Sequence, residues 1–332
     1  MNICICGGGN LGHVTAGYIA AGGHHEVSIL TRSPERWSHE LHIEMPDGSM
    51  LKGNISQISA EARKIIGRAD IVLLCLPGYA IRPMLSDIKP HLQPHTAVGS
   101  VVSSTGFFFQ ALELLPETQT LFGFQRVPYI SRIVEYGQRA RLMGFKERLY
   151  VAVEHGNNEE VLRKTLEDML STPTTLLKNH YEASLSNSNP LLHPARLYNL
   201  WSDWHEGIVY PRVPLFYEEW TEEAAQLYID MDQELHELLK HLPVTPGSIP
   251  TVLDYYESTG VPSLARKLRS IEAFKGIEAP MKAVEGGYIP DLKSRYFTED
   301  FAYGLSFVQQ LARRYSVATP QIDRVMAWGQ SL

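Results

Sequence analysis

The sequence predicts an α/β fold with a doubly wound, mostly parallel sheet in its first half, followed by an all-α domain. Three observations carry this expectation. Up to about residue 175, short apolar runs alternate with helical patterns, as strands and covering helices do. A glycine loop, Gly7 to Gly12, joins the first apolar run directly to the first helical pattern. Beyond about 175, long amphipathic patterns replace the strand signal. The expected domains are 1–175 and 176–332, which agrees with roughly 150 residues per domain for a chain of 332.

Taken in order, strands are expected over 2–6, 25–30, 70–76 and 96–102. The segment 12–21 places Val14, Tyr18 and Ala21 on one helical face, and 80–89 does the same with Ile81, Met84, Leu85 and Ile88. Ser33-Pro34 reads as an N-cap followed by proline at the first helical position, so a helix is expected right after the second strand. Pro46-Asp47-Gly48-Ser49, between 41–45 and 50–52, reads as the turn of a small hairpin. Further strands over 122–127, 139–143 and 149–153 extend the sheet with antiparallel or mixed neighbours. In the second half, 221–242 and 300–315 are the longest helical patterns, and Pro190/Pro194, Pro211/Pro214, Pro243/Pro246/Pro250 and Pro290 mark the breaks.

Composition narrows the function classes. The formal charge is 30 − 37 = −7, with no Lys/Arg-rich run, so the surface that neutralises nucleic-acid phosphates or docks an anionic membrane is missing. The longest apolar run, Ile71 to Leu76, is far short of the ~20 residues that span a bilayer. Cys4, Cys6 and Cys75 all lie in strand-like apolar runs, where thiols pack as small hydrophobes, and the N-terminus reads as a first strand with no signal peptide. A reducing cytoplasm is the expected compartment. The partners left are small molecules, with a homodimer left open because Trp201, Trp204, Phe216 and Trp220 suit either a core or a subunit interface.

Gly7-Gly8-Gly9-Asn10-Leu11-Gly12 fits G-x-G-x-x-G between a strand and a helix. In that setting backbone N–H groups and the helix N-terminus hold a pyrophosphate, as in a Rossmann domain. Gly7 serves the tight turn, Gly9 the approach of the phosphates, and Gly12 the packing of helix on strand, with Asn10 and Leu11 beside them. Where an acidic residue would hold the ribose hydroxyls of NAD, this chain has Thr31 and Arg32, 31 − 12 = 19 positions beyond Gly12 for Thr31. Arg32 suits a 2′-phosphate, which favours NADP over NAD, the other reading being a solvated loop arginine. Pro77, after the third long strand, falls at the carboxyl end of the sheet where the nicotinamide side is expected; Tyr79 is packing or contact.

Thirteen histidines invite a metal reading, but no pair has ligand spacing: prolines interrupt His91 and His95, and His236 and His241 face different ways. No metal site is expected, and His13 is placed near the phosphates or at the surface. His193 stands out because it closes a run of small polar residues, Ser184-Leu185-Ser186-Asn187-Ser188-Asn189-Pro190-Leu191-Leu192-His193-Pro194. It is either a general acid/base with Asn187 and Asn189 orienting substrate oxygens, or a core histidine beside a helix start. On spacing alone Asp300 reads as the cap of the helix that follows it.

These segments, with Val127-Pro128-Tyr129-Ile130-Ser131-Arg132 and Arg295-Tyr296-Phe297-Thr298-Glu299-Asp300, resemble the octopine/nopaline (opine) dehydrogenase family over most of the chain. The resemblance implies a Rossmann domain joined to a helical domain, with catalysis in the cleft between them. It implies His193 as general acid/base, Asp300 as its partner, Asn189 supporting the substrate and Arg295 as a carboxylate binder. Arg132 is a second cation for a substrate carrying two carboxylates; beside it this chain has Ser131 where some members carry cysteine. The implied reaction is NAD(P)H-dependent reductive condensation of an amino acid with a 2-oxo acid through an imine. One alternative resembles ketopantoate reductase, which shares the layout, reduces an oxo acid without an amine and uses a lysine near the domain junction; Lys178 is the nearby lysine but lies outside the polar cluster. A third reading is a non-catalytic NADP-binding regulator.

Overall fold

The computed structural model describes residues 1–332, which divide into two compact units, Met1–Ser184 and Leu185–Leu332. In the first, β1 (Asn2–Cys6) alternates Ile3 and Ile5 into one apolar cluster and Cys4 and Cys6 into another, because the sheet is covered on both faces. The helix α1 (Asn10–Ala21) then crosses to β2 (Glu26–Leu30), parallel to β1. The expected 46–49 hairpin forms between β3 (Glu40–Glu44) and β4 (Met50–Ser59), but β4 runs on to pair in parallel with β2. After α2 (Ala62–Ile65), β5 (Ile71–Leu74), α3 (Gly78–Ile88), β6 (Ala97–Ser100), α4 (Phe107–Leu114) and β7 (Leu121–Phe124) continue the parallel winding.

The sheet ends in mixed pairing, as expected. β8 (Tyr129–Glu135) and β9 (Arg139–Phe145) form an antiparallel hairpin beside β3, while β10 (Leu149–Glu154) runs antiparallel to β7. Then α5 (Glu159–Leu170), β11 (Thr174–Leu176) and α6 (His180–Leu185) follow, giving the eleven-strand order β11-β10-β7-β6-β5-β1-β2-β4-β3-β9-β8. The strand order reverses at β1, so the loops after β1 and β5 open together at the carboxyl edge, the place where such sheets bind ligands.

Two expectations need correction here. The helix expected from Ser33-Pro34 is one three-residue turn, Pro34–Arg36, with no side-chain cap; the chain turns at once because Trp37 is drawn into the core, where it is 7% exposed. The strand β8 went unseen in the sequence because its burial alternates only over Tyr129–Arg132 and its register slips twice against β9.

The second unit is helical, with α7 (Asn189–Trp201) packed on α8 (Glu222–Leu239), followed by α9 (Val252–Tyr255), α10 (Val261–Ser270), α11 (Arg295–Thr298), α12 (Ser306–Arg314) and α13 (Pro320–Ser331). Thr221 caps α8 by accepting from Ala224 N, and Trp201, Phe216, Trp220 and Tyr228 fill the core. A two-stranded hairpin, β12 (Met281–Val284) with β13 (Gly287–Pro290), interrupts the helices. Pro190 and Pro194 do not break the chain but lie within α7: Pro190 is in the first turn, where its missing N–H costs nothing. No helix is long and apolar enough to cross a membrane.

One ion pair in this unit sets a pH response. His236 presents Nδ1 to the Asp232 carbonyl at 2.9 Å and Nε2 to the Ile249 carbonyl at 3.3 Å, so both nitrogens are placed to donate. Hydrogen bonding to Asp232 raises its pKa from 6.5 to about 9, against the opposing effect of burial. A raised histidine pKa stabilises fully below the unfolded value and loses that contribution as pH climbs through the folded one. The fold is therefore expected to lose roughly 1–3 kcal/mol as pH rises from 6.5 to 9, and His236→Gln to flatten that dependence in urea titrations. A wild-type slope identical to the variant's would show the pair contributes nothing.

Candidate active site

The glycine loop has the shape the fingerprint requires. Gly7 has φ +124°, and a Cβ there would lie 2.6 Å from the Cys75 carbonyl oxygen on the neighbouring strand end. A Cβ on Gly12 would overlap the Gly7 carbonyl oxygen, whereas one on Gly9 would meet nothing within 4 Å. Gly9 is the exposed N-cap of α1 and offers no side-chain cap, which leaves the helix N-terminus facing open space. These residues fit a dinucleotide pyrophosphate, since Gly9 leaves open space beside the helix N-terminus.

The neighbours of the loop are more structural than the sequence indicated. Asn10 turns its carboxamide oxygen to the Ile133 N–H at 2.8 Å, tying the loop to β8, and Leu11 packs on the core. His13 does not lie at the surface: it is 1% exposed, stacks on Trp37 at 4.0 Å, and spans from the Gly9 carbonyl oxygen of the loop at 2.9 Å to the Gly137 N–H at 2.7 Å. Burial lowers its pKa, keeping it neutral with Nε2 as acceptor. Thr31 is buried with its N–H on the Ser59 carbonyl oxygen, while Arg32 is exposed. Pro77 is the N-cap residue of α3, and Tyr79 is 57% exposed, so packing does not explain it. On β8, Ser131 is buried and Arg132 exposed, its guanidinium bonded to the Ser131 carbonyl oxygen at 2.9 Å.

In the second unit the structure brings His193 and Asp300 together, with Nδ1 and Oδ2 2.8 Å apart. Asp300 does not cap the helix after it. Its side chain makes no cap bond, and the chain passes through a π-helical turn, Phe301–Leu305, before α12, with the Leu305 N–H on the Asp300 carbonyl oxygen at 2.7 Å. That turn packs against α7, where a Cβ on Gly304 would lie 2.7 Å from Pro190 Cγ, and this close approach brings Asp300 to the imidazole. Asn189 lies four residues before His193, one turn away on the same face of α7. The Asn187 side-chain oxygen accepts from Asn189 N at 3.3 Å, shaping the helix start. Arg295 is exposed in the first turn of α11, five residues before Asp300.

Two further residues of this cluster are given no role by the sequence. Tyr217 places its hydroxyl 2.9 Å from His193 Nε2, and Tyr296 lies over the imidazole with ring centres 4.2 Å apart. Tyr217 lies in irregular chain where no periodicity applies. What fixes it is Arg196, a fully buried guanidinium that donates to the Phe216 and Glu219 carbonyl oxygens at 2.9 and 2.8 Å. Burial lowers that guanidinium's pKa to about 10, still charged at neutral pH. Glu219 adds a bidentate pair with Arg212 and accepts from the Leu215 N–H.

A doubly wound sheet with an open glycine loop, together with a helical unit that holds a His–Asp pair, is the layout of a two-domain dehydrogenase. Residues 176–332 match the family described as NAD/NADP octopine/nopaline dehydrogenase, alpha-helical domain, and residues 3–123 match ketopantoate reductase PanE/ApbA. The chain is 28% identical to opine dehydrogenase of Haliotis discus hannai, over 99% of this chain and 89% of that protein. It is 27% identical to tauropine dehydrogenase of Arabella iricolor, over 99% and 91%. The solved octopine dehydrogenase complex with NADH and L-arginine superposes with a TM-score of 0.88 at 27% identity, covering 100% of this chain and 89% of that one. The second half of the chain thus matches the octopine/nopaline dehydrogenase helical domain, and its full length is similar to opine, octopine and tauropine dehydrogenases, which indicates a dehydrogenase acting on CH–NH bonds.

Proposed function

We propose that this enzyme joins the amine of an amino acid to a 2-oxo acid by NAD(P)H-dependent reductive condensation, with NADPH preferred. The observation that carries the reading is the pairing of buried His193 with partly buried Asp300, 2.8 Å apart, with Asn189 one helical turn away. Solved octopine dehydrogenase complexes contain NADH with L-arginine, with agmatine or with pyruvate, which supports an amine and a 2-oxo acid as the reactants. A bound nicotinamide dinucleotide supplies the hydride.

The chain's own residues handle the protons and the charges. Asp300 accepts from Nδ1–H and so keeps Nε2 as the basic nitrogen of His193. His193 takes a proton as the amine attacks the oxo carbon and returns it to the departing hydroxyl, with Asp300 stabilising the imidazolium in between. Arg295 and Arg132 are assigned to the two substrate carboxylates, and Asn189 to an oxygen of the substrate. Gly7, Gly9 and Gly12, with Asn10, Leu11 and Pro77 around them, shape the dinucleotide site, and Arg32 near Thr31 receives the 2′-phosphate.

The test is a matrix of amino acids against 2-oxo acids with NADPH and with NADH, followed by absorbance. Cofactor oxidation is expected only when both an amine and an oxo acid are present. Arg32→Ala is expected to raise KM for NADPH about tenfold and leave KM for NADH unchanged, matching the loss of roughly one charge-assisted contact. Equal effects on both cofactors would remove the NADP assignment. The match of residues 3–123 to ketopantoate reductase keeps a second reading in play, reduction of an oxo acid alone. Turnover without any amine would establish it.

A further inference from the structure

If Asp300 holds Nδ1, the nitrogen of His193 left for the substrate is Nε2, and in this structure Nε2 already has a partner in the Tyr217 hydroxyl at 2.9 Å. Tyr217 is placed too firmly to swing aside. Its ring stacks on Phe274 at 4.1 Å and lies parallel to Trp220 at 6.1 Å, and its backbone is held through Phe216 by Arg196 on one side and by the Ile277 carbonyl oxygen on the other. Uncovering Nε2 would mean breaking this stack, and the Tyr217 hydroxyl is held further by a hydrogen bond with the Tyr296 hydroxyl.

We propose that Tyr217 is a catalytic residue of the reductive condensation, the outer member of an Asp300–His193–Tyr217 proton relay whose phenolic oxygen meets the substrate. The inference rests on the reaction assigned above and adds the group that exchanges the proton. In the base direction, an ammonium N–H bond breaks as its proton bonds to the Tyr217 oxygen, while the phenolic proton moves to Nε2. The products are a free amine, an intact phenol and an imidazolium whose Nδ1–H stays on the Asp300 carboxylate. In the acid direction, Nε2–H returns its proton to the phenolic oxygen as the phenol protonates the leaving hydroxyl, which departs as water. As the water leaves with the C–O electron pair, the nitrogen lone pair closes the C=N bond; neither step changes an oxidation state, and each ends with Tyr217 neutral. Burial pushes the phenol well above its ordinary pKa, so it persists as a donor throughout the neutral range.

The relay predicts two protons in flight. For the amine and oxo acid pair that the wild type turns over fastest, kcat plotted against the deuterium fraction of the solvent is expected to bow downward; a straight line overturns the relay. Tyr217→Phe, which keeps the stacked ring, is expected to lower kcat by about 10²-fold, straighten that plot and leave KM for the cofactor unchanged. A kcat that stays the same or rises would show the hydroxyl to be only a cover over Nε2. A second arm is independent of any reaction: ¹⁵N spectra of the free protein are expected to show His193 Nε2 as an unprotonated acceptor, with a shift that moves in Tyr217→Phe. No movement overturns the relay even if no substrate pair is found, whereas failure of every pair with the NMR shift intact counts against the assigned reaction alone.

Discussion

His193→Asn is expected to lower kcat by about 10³-fold while dinucleotide binding stays at its wild-type level, because the substitution removes the proton carrier and touches nothing in the glycine loop. Asparagine can still donate to Asp300, so the partly buried carboxylate keeps a partner and the fold is expected to survive, with a loss of roughly 1–2 kcal/mol in urea unfolding. Asp300→Asn provides the complementary check. An amide that donates to Nδ1 moves the imidazole proton to Nε2, which then donates to the Tyr217 oxygen, so Nε2 is no longer a base and the phenol loses it as an acceptor. Its kcat is expected to fall by roughly 10²- to 10⁴-fold with little change in KM. Stopped-flow single turnovers with saturating cofactor measure both. Wild-type kcat in either variant would show that this pair is structural.

Gly12→Val is expected to abolish dinucleotide binding and to lower the melting temperature, since its side chain would be driven into the Gly7 carbonyl oxygen and the α1–β1 contact would have to open. On its own this outcome would not separate a ruined fold from a ruined site. Gly9→Ala does so, because a Cβ at Gly9 meets no protein atom within 4 Å. It is expected to leave the melting temperature unchanged and to weaken NADPH by about tenfold or more, or roughly 1.4 kcal/mol, measured by calorimetry. Tight binding to Gly9→Ala would mean that the phosphates lie elsewhere.

Much of the first unit was legible because its signals are local. The run Asn2–Cys6 is apolar on both sides, and only a strand covered on both faces tolerates that. Gly7 is dictated by its positive φ and Gly12 by overlap with the carbonyl oxygen of Gly7, both within the loop itself. The turn at 46–49 lies where its proline, aspartate and glycine put it, with the Asp47 carboxylate accepting from the Ser49 N–H. The sequence misled where a local rule met a tertiary demand. Ser33-Pro34 has the chemistry of a helix start, yet the burial of Trp37 ends the helix after one turn. Asp300 has the chemistry of a cap, yet its carboxylate bonds the imidazole.

By itself, then, the chain of residues determined the winding of the sheet, the dinucleotide loop and the helical character of the second unit, because periodicity, turn chemistry and steric exclusion act over a few residues at a time. Only the tertiary structure decided that Tyr217 faces Nε2 and Tyr296 covers the ring, and that His13 is a buried strut. Those contacts join segments separated by 24 residues in one case and 124 in another, and they are set by packed volume and the need to satisfy buried polar groups, which no local pattern records.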